Sequence, residues 1–451
     1  MHAQIKDMTQ GNPLKLIINF ALPLMVGNVF QQLYTVVDTI VVGKALGVNA
    51  LAALGVTDWL YWMLLGMVQG ITQGFGILMP REFGAKQFDR LRTVIANAIT
   101  LSALAAIILL ILGQTISTPA LLLLNTPDKI LMDSLLYLRI MFAGIPIVMA
   151  YNLFASILRS LGDGQTPLNA MIVASLANII LDVVFVLVFR WGIAGAAVAT
   201  LLAQLFSGIF CLLHIIKIDF LKFKAKDFIP NFHLNVRLFG LGAPMAAQNA
   251  MIAIGGMIIQ SVVNGYGVAF IGGFTASNKL YGVLEIAASS YGYAMITYVG
   301  QNLGAGKFDR IHKGVRCASV ISTITSLLIA VTMLIAGKGI ISMFISGTQQ
   351  EISEAIRVGY VYLAFMSFCL PVLYILHVSR SSIQGLGNTI LPMVSGVVEF
   401  IMRTGGVLLL PTFIGENGIF LAEVLAWFGA DLILVPSYFI TIKKEENKER
   451  Y

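Results

Sequence analysis

Charge is what this chain of 451 residues has least of: Asp, Glu, Lys and Arg together make up only 11% of it. A soluble globular chain carries roughly a quarter. The deficit runs the whole length, which excludes a cytosolic enzyme, a disordered chain and a nucleic-acid binder. The three cysteines, Cys211, Cys317 and Cys369, stand far apart in or beside apolar runs, so neither a disulfide framework nor a metal cluster is expected. There is no GxxxxGK[ST] loop, no His/Cys metal spacing and no nucleophile constellation. ATP hydrolysis and catalysis are therefore not expected, no cofactor is implied, and gradients across a membrane are the remaining source of energy. What fills the sequence is apolar: 58% hydrophobic residues and a mean hydropathy of +0.86. These numbers describe a polytopic membrane protein.

A crossing helix needs about 20 mostly apolar residues. Between Gly, Pro and charged punctuation the chain offers twelve such spans, at 14–43, 50–79, 91–115, 130–158, 166–189, 192–216, 236–264, 270–300, 312–336, 355–384, 390–412 and 417–442. The first is too long for a signal-peptide core and contains Asp38. With the amino terminus inside, 21 Lys and Arg fall on the inner side against 6 outside. That asymmetry predicts a multi-pass protein with both termini cytoplasmic, and a bacterial inner (plasma) membrane is taken as its setting.

The chain also repeats itself. Arg81–Arg90 reads REFGAKQFDR and Gln301–Arg310 reads QNLGAGKFDR. Gly47–Thr57 aligns with Gly267–Ser277, Pro23 with Pro244, Pro146 with Pro371, Pro167 with Pro392, and Leu161–Gly162 with Leu386–Gly387. The same order in both halves is duplication. Six spans per half is an even number, so the halves share one topology and should be related by an axis along the membrane normal. The expected fold is all-α: twelve transmembrane helices in two pseudo-symmetric six-helix lobes around a central cleft. The expected boundaries are an N-lobe at 1–216, a cytoplasmic linker at 217–235, a C-lobe at 236–442 and a cytoplasmic tail at 443–451. Lobes of this design move against each other in alternating access, which favours transport over a channel.

Polar residues inside the spans point to the site. A carboxylate at mid-membrane costs about 2.5–3.5 kcal/mol on insertion scales and is usually functional. Span 1 carries Gln31, Thr35 and Asp38 on one helical face, and span 5 carries Asn178 and Asp182 four apart. Span 6 adds Thr200 after a surface of small residues that allows close contact. Asp38, Asn178, Asp182 and Thr200 are expected to converge as an oxygen-rich cluster for a proton or Na⁺, with a structural hydrogen-bond network as the alternative. Two nearby carboxylates in low dielectric tend to hold a proton between them. Asp58 and Gln69 on span 2, Gln260 and Asn264 on span 7, and Tyr281 and Glu285 on span 8 are candidates for lining a substrate cleft. Glu399 and Arg403, spaced i,i+4 on span 11, read as a structural ion pair. Glu423, Trp427 and Asp431 share one face of span 12, and His377 on span 10 is titratable.

Taken with the twelve spans, the motifs LYTVVDT (33–39), FGAKQFDR and LGAGKFDR (83–90 and 303–310), ANIILD (177–182) and GIAGAAVAT (192–200) resemble those of the multidrug and toxic compound extrusion (MATE) transporters. The resemblance runs essentially the whole length and is greatest to the bacterial and archaeal DNA-damage-inducible (DinF-like) branch. It implies efflux of amphipathic, often cationic, small organic compounds by antiport against H⁺ or Na⁺, without ATP or nucleic acid, by a monomer among membrane lipids. It places the coupling cation at Asp38, Asn178, Asp182 and Thr200. One departure stands out: the sodium-coupled branch that uses the second lobe carries acids in spans 7 and 10. This chain has Gln248, Asn249, Gln260 and Asn264 in span 7 and His377 in span 10. The alternative function is a lipid-linked saccharide flippase of the same superfamily, whose cleft should be rich in Arg and Lys; here only Lys279 and Arg403 lie clearly within spans.

Overall fold

A computed structural model describes residues 4–124, 126–345 and 348–450. The outermost residues of the expected N-lobe and tail, 1–3 and 451, lie outside these. The helices follow the apolar runs: α1 (Pro13–Leu46), α2 (Val48–Phe75), α3 (Leu78–Gly84), α4 (Phe88–Leu123), α5 (Asp128–Ala143), α6 (Ile145–Ser160), α7 (Gln165–Asp182) and α8 (Ile193–Ile216). The second half holds α9 (Phe232–Val263), α10 (Val268–Gly304), α11 (Phe308–Ser342), α12 (Gln349–Gly385), α13 (Ile390–Leu409), α14 (Pro411–Ile414) and α15 (Asn417–Arg450). Among the described residues, ten helical stretches are long and apolar enough to cross a membrane, and the α5–α6 pair, bent by 45°, makes an eleventh. The remaining long helix, α10, has 37 residues, and its Asn278, Lys279 and Glu285 lower its apolarity. The expected tail from Lys443 continues α15 as helix.

Burial is inverted relative to a soluble bundle. On α4, Leu104, Ile107, Ile108 and Ile111 are exposed, and on its repeat partner α11 so are Val320, Ile324, Leu327 and Leu328. Such stripes are costly in water and neutral in lipid. The first half packs its interior from Leu138, Phe142, Val148 and Met149 against Ala196 and Leu201 of α8.

The duplication reaches the backbone. Lys86 and its repeat partner Gly306 both have positive φ (58° and 67°), as do Gly162 and Gly387 (81° and 88°). The halves differ at Pro146 and Pro371. Gly144 precedes Pro146 at the α5–α6 bend, where a side chain would collide with Leu201. At the equivalent place before Pro371 stands Cys369, and α12 runs through unbroken.

By its packing the chain forms two compact units. One comprises the amino-terminal segment to Gln10, Leu22–Ala250 and Gly300–Ala305; the other comprises Gly11–Ala21, Met251–Val299 and Gly306 onward. In the first unit the amino-terminal segment is strapped down. The Met8 amide donates to Gln301 Oε1 at 2.7 Å, Gln301 Nε2 donates to the Ser160 carbonyl at 3.0 Å, and the Lys6 amide donates to the Leu161 carbonyl at 3.2 Å.

Candidate functional site

In the first unit α1 runs parallel to α7 and in close contact with it. Gly27 lies against Leu168 and Met171, and one turn on Ser175 Oγ is 3.5 Å from the Phe30 carbonyl. Continuing in that register brings Asp38 to Asp182, and the two carboxylates lie within electrostatic range of each other. α8 packs on α7 in the opposite sense: Gly195 meets Phe185, and Ser207 Oγ donates to the Ala170 carbonyl at 3.1 Å. Interpolating between these two contacts sets half-buried Thr200 level with Asn178. The four residues singled out as a cluster therefore share one level of one unit.

Their environment is unusual. Asp182 is 0% exposed and Asn178 1%. Both carboxylate oxygens of Asp182, both polar atoms of Asn178 and Oδ1 of Asp38 are buried without a hydrogen-bond partner. A buried polar atom left unpaired costs about 1–3 kcal/mol, so this group is an expensive way to hold two helices together. A proton or a small hard cation would satisfy the oxygens among them, since carboxylate and amide oxygens are ligands that such an ion takes; Asn178 Nδ2, a donor, would need an acceptor instead. Among the described residues no three His, Cys, Asp or Glu side chains group as a resident metal site.

The backbone changes at the same place. Asp182 ends α7, and Val183–Val188 continue as a π turn, in which the Phe189 amide reaches the Val184 carbonyl at 2.8 Å. Single π turns inside helices recur at functional sites.

Neighbours that the sequence reading passed over complete the cluster. Tyr34 lies one turn before Asp38 and within reach of both acids. Tyr61 stands beside Gln204, one turn beyond Thr200, and Tyr137 is close to Asp38 and Asp58. Helical spacing from Asp38 and Thr200 gives Tyr34 and Gln204. Tyr61 and Tyr137 arrive only through tertiary packing.

The cleft candidates scatter. Gln31 and Gln69 are half-buried, Thr35 is exposed with its hydroxyl donating back to the Gln31 carbonyl at 3.0 Å, and Asp58 is exposed but near Asp38. The other four lie in the second unit. Gln260 and Asn264 bond each other at 2.8 Å, Tyr281 stacks on buried Trp427, and Glu285 Oε1 lies 3.4 Å from His377 Nε2.

That second unit also holds a buried ion network. The expected Glu399–Arg403 pair is present at 2.9 Å, and it extends to Glu423, 2.7 Å from Arg403, and to Arg380, 2.8 Å from Glu399. Arg380 is buried within α12, where Glu399 neutralises it. Asp431 Oδ1 is buried without a hydrogen-bond partner on the same helix as Glu423.

Known proteins agree with this architecture. The MatE family matches the chain twice, over residues 23–184 and 244–405, one match in each half of the internal repeat. The chain is 30% identical over 414 residues to the probable multidrug resistance protein YpnP of Bacillus subtilis, with 92% of each chain covered. It is 27% identical to the probable multidrug resistance protein YoeA of the same organism, covering 90% of this chain and 84% of that one. Its fold matches that of a MOP superfamily transporter from Pyrococcus furiosus with a TM-score of 0.91 at 19% identity, covering 99% of both chains. This chain belongs to the MatE family of membrane transporters.

Proposed function

We propose that this protein is a secondary active multidrug efflux transporter that exchanges amphipathic, cationic organic compounds for H⁺ or Na⁺, with coupling at Asp38, Asn178, Asp182 and Thr200. The observation that carries the reading is the set of buried, unpartnered polar atoms on Asp38, Asn178 and Asp182, at one level of a membrane-spanning bundle. Related proteins bear multidrug resistance names, which supports the substrate class. The loop and span motifs favour the DinF-like branch.

In this reading the cluster alternates between two occupants of opposite preference. With the cation released, the carboxylates carry charge and favour binding of an organic cation. When a proton or Na⁺ from outside occupies Asp38 and Asp182, that charge is neutralised and the packing of α1 against α7 changes. The substrate then leaves. Coupling requires that each ligand shift the population the other needs. The bundle acts as a monomer in the inner membrane with both termini cytoplasmic, the lobes being 1–216 and 236–442. A lipid-linked saccharide flippase needs free buried cations for pyrophosphate; Arg380 and Arg403 are both tied to carboxylates, which weighs against that alternative.

The test is transport by the full chain in liposomes. An imposed proton gradient in Na⁺-free buffer should collapse on addition of a polyaromatic cation, and Asp38→Asn should abolish the collapse while leaving the protein folded. Movement of the same cation under a Na⁺ gradient only would make the cluster a sodium site. Undiminished gradient-driven efflux by Asp38→Asn sinks the assignment.

A further inference from the structure

Residues 217–231, which join α8 to α9, have a fold of their own. Asp219–Leu221 and Ala225–Phe228 each make a short 3-10 turn. The second is closed by the Lys224 amide, which donates to Asp227 Oδ2 at 2.8 Å. Arg92 of α4 pins both turns. Its Nη1 donates to the Phe220 carbonyl at 3.0 Å, and its Nε lies 3.5 Å from Asp227 Oδ2. Asp227 is buried, so this pair is held away from water. The Phe220 ring sits on Phe88 and Phe83 of the repeated loop, at 4.8 and 5.9 Å. The Asn231 amide donates to Asn97 Oδ1 at 3.2 Å.

These contacts consume the inward face and leave an outward face of mixed chemistry. Lys217, Lys222, Lys224 and Lys226 are all exposed, and Lys86 and Arg90 are exposed on the loop that Phe83 and Phe88 bring alongside. Among the lysines stand three large apolar side chains, Phe228, Ile229 and Phe232, exposed by 43%, 64% and 76%. A row of lysines alone fits solvent. Three exposed large apolar residues in a segment pinned at four points do not, unless something apolar covers them. Because α8 and α9 are both membrane-spanning stretches, the segment between them emerges at the membrane face. Cationic ends beside apolar side chains match the boundary between anionic headgroups and acyl chains. A nucleic acid or an acidic protein would engage the lysines and leave Phe228, Ile229 and Phe232 in water.

We propose that residues 217–232 form a docking surface for anionic phospholipids. Lys222, Lys224 and Lys226 take the headgroup phosphates, and Phe228, Ile229 and Phe232 enter the acyl boundary. Arg92 and Asp227 hold the turns in the shape that presents both sets together. The proposal depends on this segment and not on where the coupling ion binds.

The test is lipid binding by the full-length purified protein, read by native mass spectrometry during titration with phosphatidylglycerol or phosphatidylcholine. The wild type should prefer phosphatidylglycerol about ten-fold. The triple variant Lys222→Gln, Lys224→Gln, Lys226→Gln alters exposed side chains only and should lose most of that preference. Phe228→Ser with Ile229→Ser should weaken binding of both lipids. Inorganic phosphate at millimolar concentration should not compete. An unchanged preference in the lysine variant overturns the proposal, and so does full competition by phosphate, which would mark a site for soluble anions. Loss of transport in Asp38→Asn leaves this binding measurement unaffected, so the two readings fail separately.

Discussion

Gly84 and Gly304 are equivalent positions of the internal repeat, and each lies against the other copy's backbone. A Cβ on Gly84 would overlap the Gln301 carbonyl oxygen, and one on Gly304 would overlap the Arg81 carbonyl oxygen. Both obstacles are main chain, so neither can move aside as a side-chain tip does. Gly84→Ala and Gly304→Ala should each destabilise the purified protein by about 1–3 kcal/mol, the cost of overpacking. Gly272→Ala, where nothing lies within 4 Å, should be close to neutral. Thermal unfolding of the three variants in one detergent checks this. Equal melting temperatures for Gly84→Ala and Gly272→Ala would mean the two loops do not meet as described.

Lys86 stands where its repeat partner is Gly306, and both adopt the left-handed region, with φ of 58° and 67°. A side chain there costs about 1–2 kcal/mol, partly offset by the entropy that glycine loses on folding. Lys86→Gly should therefore leave the protein as stable as the wild type or slightly more so. Gly306→Lys should lower stability. The pair is read from melting temperatures, and a large loss in Lys86→Gly would show that the lysine side chain holds something at the loop.

How much of this was legible in the sequence follows from the range of each signal. The helices were legible because membrane burial demands long apolar runs, and the repeat was legible because it recurs in order. The bend at Gly144 was not, since Pro146 and Pro371 look alike in the sequence and only the small residue before Pro146 admits Leu201. The π turn after Asp182 is invisible in the uniformly apolar VVFVLV. The Arg380–Glu399 pair was not legible, because the two residues stand 19 apart on different helices. In the cluster, Asp38, Asn178 and Asp182 stood out as acids and amides where lipid should be. Tyr61 and Tyr137 did not, because a tyrosine in an apolar run carries no sign of what it faces.

Arg403 joins two carboxylates at once, Glu399 at 2.9 Å and Glu423 at 2.7 Å. A planar guanidinium can serve two acceptors; a lysine ammonium is a point charge. Removing one member of a buried ionic network leaves the others uncompensated and typically costs about 3–5 kcal/mol. Arg403→Met should lose about that much, and Arg403→Lys should lose clearly less. Adding Glu423→Gln to Arg403→Met should recover part of the loss, because Glu399 keeps Arg380 as its partner at 2.8 Å and no orphaned carboxylate then remains. Chemical or thermal unfolding of the four proteins decides it. If the double variant is no better than Arg403→Met, the cost lies in packing and not in unpaired charge.

The first-unit cluster makes a different demand, because buried Asp182 and half-buried Asp38 lie within electrostatic range of each other without the cation that Arg403 supplies elsewhere. Two carboxylates so placed bind a proton as a pair and not as two independent acids. If an organic cation displaces that proton, its binding should release about one H⁺ per transporter in weakly buffered solution, detectable with an indicator dye or by calorimetry in buffers of different ionisation enthalpy. Asp38→Asn and Asp182→Asn each leave a single carboxylate and should both abolish the release. The two losses should not add, since either substitution dissolves the pair. Asn178→Ala removes an amide but no acid; it should weaken cation occupancy while proton release survives. Full release in Asp182→Asn together with none in Asp38→Asn would make Asp38 the sole proton carrier and reduce Asp182 to a neighbour that shapes its field.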